Sequence, residues 1–381
     1  MTKHVDVAVV GAGILGLSVG YHLLSRQRSL RVVIVEQAPV AGAGSTGKAT
    51  GGIRCQHASE VLVRLSMASI DEYRNFERLT GVDVEFDDVG YLLFASTPHA
   101  AEQLAETVAI MRRCGVAVEA LDAGAIARRW PHLRTEGIRL GSWTPGDGHA
   151  SPHAAVTGYL QAYRRLGGRI VFGEKVVGIE VASGSVTGLR TADRTIETPV
   201  IANVAGVEAA QLARSAGLDL PVRPYRRQVA VLAPLRLGDG RVPLTMDVDS
   251  GWYLHQQRDG TMLLGGIDKD THPGTQEVVD AGVIDRLLEL GMRLIPRLAA
   301  ARLVRSYAGL RALTPDDLPI LGPAPWPRGL FCACGFAGHG FMHAPAVGDL
   351  LARWILDGDP GMSGLDACLP DRFLRTSTSL Q

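Results

Sequence analysis

Near its start the chain runs strand, glycine turn, helix, strand, acid. Residues 5–10 (VDVAVV) read as a buried strand, and Gly11-Ala12-Gly13-Ile14-Leu15-Gly16 follows at once. Leu15, Val19, Leu23 and Leu24 then recur at helical spacing, and residues 31–35 (RVVIV) form a second strand that ends in Glu36. A right-handed crossover of this kind brings the two strands side by side and parallel. Gly11 permits the tight turn, Gly13 lets backbone approach a pyrophosphate, and Gly16 allows close packing of helix on strand. The helix N-terminus offers N–H groups to phosphates. Glu36 stands where a carboxylate accepts both ribose hydroxyls of an adenosine and repels a 2′-phosphate. The feature predicts a dinucleotide site.

The rest of the chain bounds what can be built around it. With 381 residues it is long enough for two modules or one large interrupted domain. Hydrophobic residues make up 46% and charged residues 20%, which excludes a disordered or fibrous chain. Lys+Arg and Asp+Glu are 39 each, so a basic nucleic-acid footprint is absent; Arg223, Arg226 and Arg227 cluster without extending into a stripe. The four lysines are Lys3, Lys48, Lys175 and Lys269. Five scattered cysteines make no disulfide framework, and Cys332 and Cys334 read as buried thiols of a strand rather than a metal or redox pair. No metal site is expected. There is no secretory-signal pattern and no run of 18 uncharged apolar residues, so we expect a cytoplasmic protein, peripheral at a membrane at most through a partner.

Along the chain, the small-residue run AGAGSTGKATGGIR (41–54) suits backbone wrapped around an extended ligand, with Ser45 and Thr46 placed to bind phosphate. A helix is predicted over 59–79. A strand over 86–94 and two helices follow, then a loop over 142–152. Residues 169–203 return to short strands, ending in Asn203-Val204-Ala205-Gly206 where an open sheet places ligands. Residues 221–268 alternate strand and turn, with Asp259-Gly260 as a hairpin. A helix over 276–294, the strand FCACGF, a glycine loop and a helix over 345–357 complete the chain. The fold class is α/β: a Rossmann-like nucleotide-binding domain (1–80, 142–215 and 306–381) interrupted by a substrate domain built on an antiparallel sheet (81–141 and 216–305).

GAGILGLSVGYHLL, STGKATGGIR, GLRALTPDDLPILG and GFAGHGFMHAPAVGDLLARWI stand in an order that resembles the FAD-dependent amino-acid and amine oxidoreductases. That family includes D-amino-acid oxidase, glycine oxidase, the sarcosine oxidases, dimethylglycine dehydrogenase, and the β subunits of proline dehydrogenases and opine oxidases. The likeness runs from residue 4 to about 374 and is strongest to the sarcosine oxidase β-subunit group, in GHGFM and in Asp371-Arg372-Phe373. It implies FAD as cofactor and oxidation of a C–N bond, with hydride passing to flavin N5 and the resulting imine hydrolysing. The substrate would be an amino acid or a secondary amino acid.

The resemblance implies roles for particular residues. Arg54 matches the arginine that clamps a substrate carboxylate. Tyr253 and His255, two apart on a strand, would face the pocket, and Arg311 would lie by both flavin and substrate. Gly338, His339, Gly340, Phe341 and Met342 would face the flavin, with His339 structural rather than a proton carrier. Further FAD contacts are expected from Ile14, Leu15, Gln37, Lys48, Thr50, Gly51, Gly52, Val176, Ala205 and Gly206.

Three departures from the monomeric sarcosine oxidases matter. Met342 stands where they carry a substrate-binding lysine. The segment Ala308–Thr314 lacks their FAD-tethering cysteine, so FAD should be non-covalent. Residues 252–267 lack the lysine that promotes reaction with O2. A dehydrogenase that passes electrons to a partner subunit or quinone is therefore expected ahead of a fast O2-using oxidase. Two other readings stay open: oxidation of a 2-hydroxy acid with His255 as base, and an FAD-binding subunit inactive alone.

Overall fold

The computed structural model describes residues 4–238, 242–268 and 271–375; Lys3 and Lys269 lie outside them. Val7–Val10 pairs in parallel with Val32–Glu36, in the register Val7↔Val32 to Val10↔Val35, as the opening crossover requires. Around this pair a six-stranded sheet runs in the order Ile320–Pro323, Leu330–Cys334, Ile201–Asn203, Val7–Val10, Val32–Glu36, Arg169–Phe172. All its neighbours are parallel except the first pair. Val7 and Val9 join one apolar cluster and Ala8 and Val10 another, so the sheet is covered on both faces and its strands are apolar throughout. On one face the first helix, Ile14–Arg26, packs against the helix Gly340–Asp357; a Cβ on Gly348 would lie 2.0 Å from the Ser18 hydroxyl. Val176–Ala182, Ser185–Thr191 and Thr195–Glu197 form a small antiparallel sheet beside it.

A second, eight-stranded sheet runs in the order Leu303–Leu313, Arg223–Leu232, Met262–Gly265, Tyr253–Gln256, Leu244–Asp247, Tyr91–Ala95, Leu140–Thr144, Glu119–Leu121. It is antiparallel but for the pairing of Leu244–Asp247 with Tyr91–Ala95. Two of its strands cross boundaries expected from the sequence. Leu140–Thr144 pairs with Tyr91–Ala95 across the division at 141/142, where a loop was expected. Leu303–Leu313 pairs along Arg223–Leu232 across the division at 305/306. Local alternation marks a strand but not the sheet it joins.

The expected helix over 345–357 starts five residues earlier, at Gly340, with Pro345 inside it. Proline has no N–H for the carbonyl four residues back. That carbonyl, of Phe341, instead accepts from the Tyr73 hydroxyl at 2.7 Å. A partner from another helix thus satisfies the group that proline leaves open. No helix among the described residues is long and apolar enough to cross a membrane.

Candidate active site

One cavity of about 1380 Å³ runs from Glu36 and Val176, at the ends of their strands, past the first helix to the eight-stranded sheet. At its nucleotide end Gly11 has φ +108°, a conformation open to glycine, and a Cβ there would meet the Val204 carbonyl oxygen at 2.8 Å. Gly16 does not line the cavity. A Cβ on it would lie 1.9 Å from the Gly11 carbonyl oxygen, so this glycine lets the helix sit against its own turn rather than against a strand. Glu36 accepts from Ala12 N–H at 2.7 Å and from Ala38 N–H at 2.8 Å, which fixes its carboxylate at the cavity wall.

The turn Ser45–Lys48 closes over the helix start, where Thr46 Oγ1 accepts from Ile14 N–H at 3.2 Å. Ser45 lines the cavity too, and its hydroxyl donates to the Leu310 carbonyl at 2.7 Å. Lys48 is ion-paired with Glu277, and Gln37 and Lys175 both bind Glu208, at 2.7 and 3.1 Å. Ile14, Leu15, Thr50, Gly51, Gly52, Ala205 and Gly206 line the same cavity.

The other end is built by the pleat of the eight-stranded sheet. Ala230, Leu232, Leu254, Met262, Leu264, Leu92 and Phe94 point away from the cavity into a core that also holds Leu287 of the helix Ala281–Leu294. The intervening positions Arg227, Val229, Tyr253, His255, Met246, Leu244 and Tyr91 therefore face the cavity and line it, with Tyr307 and Arg311 from the neighbouring strand. Opposite them stand Arg54 and the segment Gly338–Met342. Arg311 lies so close to Gly338 that a Cβ there would be 2.5 Å from its Nε.

Arg54 Nη2 lies 3.2 Å from His339 Nε2, and its guanidinium carbon sits 5.9 Å from the centre of the Tyr91 ring. The guanidinium donates, so His339 accepts through Nε2. Desolvation, then the Arg54 charge, holds the His339 ring well below the ordinary histidine range. His57 Nε2 is 3.1 Å from both the Arg54 carbonyl and Ser66 Oγ, and Ser66 Oγ is 2.9 Å from His343 Nε2. Burial, with Arg54 next, pushes His57 well down and His343 down to about 3. Three uncharged imidazoles thus back one guanidinium. Burial likewise pushes His255 well below its usual value; its ring centre is 4.4 Å from that of His149. No group of three or more His, Cys, Asp or Glu able to hold a metal occurs among the described residues.

Beneath Arg54, the buried Asp147 accepts from Cys55 N–H at 2.9 Å, with the Thr144 side chain close enough to favour its charged form as well. Desolvation raises its pKa to about 7 against the opposing pull of that N–H. A carboxyl raised above its unfolded value makes the folded state bind more protons. Stability therefore falls as pH rises from about 4 towards 7, by up to about 1.4 kcal/mol per pH unit. Asp147→Asn is expected to flatten that loss in thermal melts between pH 5 and pH 8; parallel slopes in the two proteins would refute the assignment.

All four residues expected to do chemistry, Arg54, Tyr253, His255 and Arg311, line this one cavity, with every expected cofactor contact except Gly16. Sequence reading missed Tyr91, Tyr307, Asp147, His57 and His343, and noted Arg227 only as part of a basic cluster. One signal was available: His343 lies four residues after His339 and shares its helix face.

The model of the family described as FAD dependent oxidoreductase matches residues 6–354. The chain belongs to that family. Glycine oxidase of Geobacillus kaustophilus is 31% identical to it over 93% of this chain and 94% of that one. Mitochondrial dimethylglycine dehydrogenase of Mus musculus is 27% identical over 98% of this chain; this chain spans 45% of that relative's length. The solved structure of L-proline dehydrogenase from P. horikoshii superposes with a TM-score of 0.91, covering 99% of both chains at 26% identity.

The residues of this FAD-dependent oxidoreductase fit the cofactor. Gly11 and Gly13 present side-chain-free backbone to the cavity at the start of the first helix, Glu36 lines it at the end of its strand, and the same cavity continues to the eight-stranded sheet. FAD is held non-covalently. Residues 308–314 contain no cysteine, and burial pushes the cavity-lining Cys334 up to about 12, outside the range where a thiol attacks. Glu36→Ala is expected to weaken FAD binding about tenfold or more, since charge-assisted hydrogen bonds contribute roughly 1.5–3 kcal/mol each. A fluorescence titration of deflavinated protein measures this; unchanged affinity would refute the ribose assignment.

Proposed function

We propose that this chain oxidises the C–N bond of an amino acid or a secondary amino acid. When bound, FAD supplies the hydride acceptor for the carbon that bears the nitrogen. Arg54 and Arg311 hold the substrate carboxylate, and Tyr91 and Tyr253 bound the space beside it. The observation that carries this reading is the pair of cavity-lining arginines, neither with a carboxylate within 4.0 Å among the described residues. Their positive charge, backed by uncharged imidazoles, also favours a substrate amine in its neutral form, the form that can be oxidised. Relatives and solved structures named glycine oxidase, dimethylglycine dehydrogenase and L-proline dehydrogenase support the same class.

The 2-hydroxy-acid reading ranks lower. An alcohol needs a base whose pKa lies near the working pH, and buried His255 is held far below that. We place transfer to an acceptor other than O2 ahead of fast oxidase activity. Residues 252–267 carry no lysine, and Lys48 and Lys175 are tied to Glu277 and Glu208. Anaerobic titration over N-methyl, cyclic, D- and L-amino acids, followed by admission of air, tests both points. Bleaching by an amine with slow recovery in air is expected. Flavin that no amine bleaches would overturn the amine reading, and rapid recovery would overturn the acceptor reading.

A further inference from the structure

The site holds one more cation than a single carboxylate needs. Across the Arg223–Leu232 and Leu303–Leu313 strands, Tyr225 pairs with Arg311 and Arg227 with Gly309. Arg227 and Arg311 are therefore diagonal neighbours on one sheet face, and both line the cavity. Like charges so placed on a half-buried surface repel unless an anion lies between them. Some arginines elsewhere hold a carboxylate within 4.0 Å, as Arg26, Arg31 and Arg372 do, and others such as Arg139 and Arg165 donate to backbone carbonyls. What sets Arg54, Arg227 and Arg311 apart is that they line one cavity and, among the described residues, none has a carboxylate within 4.0 Å.

Arg227 is anchored by donating to the Arg226 carbonyl at 2.7 Å and to Thr271 Oγ1 at 2.9 Å, which fixes its direction without neutralising it. Asp268 and Asp317 are the acids whose charge bears on it, and neither comes within ion-pair distance. Asp268 is buried, and that burial raises its pKa against the opposing pull of the Arg227 charge and of the Gln228 side chain. Arg54 and Arg311 both act on His339 and Tyr91, and so flank the same part of the cavity. One carboxylate can serve those two, and Arg227 remains.

Resting on the proposed C–N oxidation, we infer that the substrate is an amino acid with a second carboxylate, and that Arg227 receives it. That carboxylate is carried either on the nitrogen substituent, as in an iminodiacid, or on an acidic side chain. Arg227 is then a specificity-determining residue.

The test begins with binding, which needs no turnover. Oxydiacetate carries two carboxylates around an ether oxygen that cannot be oxidised as an amine, and methoxyacetate carries one. In calorimetric titrations of FAD-loaded enzyme, oxydiacetate is expected to bind about tenfold tighter or more, as for a buried charge pair. Arg227→Met should abolish that preference while leaving methoxyacetate affinity within about twofold, and Arg227→Lys should keep part of it. Flavin content and melting temperature identify a misfolded Met variant, in which case the Lys variant decides. Equal affinity of the two ligands in the wild type would overturn the inference, as would equal weakening of both by substitution. Anaerobic reduction by iminodiacetate, N-methylglycine, glutamate and alanine then separates the two positions of the second carboxylate. If oxydiacetate is preferred through Arg227 yet no amine bleaches the flavin, the two-carboxylate site stands and the oxidation reading falls.

Discussion

Arg54→Met is expected to slow flavin reduction by an amino acid by about 30-fold to several thousandfold at low substrate, with FAD loading retained. Removing one partner of a buried, hydrogen-bonded charge pair typically costs about 2–5 kcal/mol, which sets that range. The structure narrows the competing explanation. A purely structural arginine would be tied to an acid, but Arg54 has no carboxylate within 4.0 Å among the described residues; its polar side-chain contact is the uncharged His339. Asp147 lies near enough to feel its charge, yet one of its oxygens is committed to the Cys55 N–H. Met342, buried at the start of the last long helix, adds no second cation. Arg54→Lys keeps the charge but not the planar fork, so partial recovery is expected. The decisive comparison is an amino acid against its decarboxylated amine in single-turnover reduction. If Arg54→Met slows both equally in fully loaded enzyme, the clamp assignment is wrong.

The nucleotide end was legible because its logic is local. The turn, the helix start and Glu36 lie within 26 residues, and each glycine answers a constraint set by atoms close in sequence or by the adjoining strand. The substrate end was legible only in part. Tyr253 and His255 were found from the pleat of a single strand, whereas the placement of Arg227 beside Arg311 depends on the register of strands about 80 residues apart. Tyr91 reaches the cavity because its strand joins Leu244–Asp247 in parallel, a pairing that alternation cannot announce. The same limit explains the two domain boundaries that fell inside strands. The contact of the Ser45 hydroxyl with the Leu310 carbonyl has the same origin, since that carbonyl belongs to a strand far along the chain.

Gly16→Ala is expected to abolish stable FAD binding, weakening it by about a hundredfold or more, and to lower the melting temperature of the deflavinated protein. The added Cβ would stand 1.9 Å from the Gly11 carbonyl oxygen, 3.0 Å from the Gly11 carbonyl carbon and 3.1 Å from Val204 Cγ2. Backbone must therefore move, and neighbouring bonds oppose it. Gly11 N–H donates to the Val35 carbonyl at 2.8 Å, Ala12 N–H to Glu36 at 2.7 Å, and Gly42 N–H to the Ala12 carbonyl at 2.9 Å. Shifting the turn breaks some of these and displaces Glu36, so the pyrophosphate and ribose positions are lost together. Overpacking of this kind costs roughly 1–3 kcal/mol in stability, and the lost cofactor contacts add to the effect on binding. Gly274→Ala serves as the control: a Cβ there meets nothing within 4 Å, and the residue does not line the cavity. Gel filtration followed by the flavin-to-protein absorbance ratio gives retention, and fluorescence titration gives affinity. If Gly16→Ala holds FAD as tightly as Gly274→Ala, the packing of the first helix against its own turn is not what shapes the phosphate site.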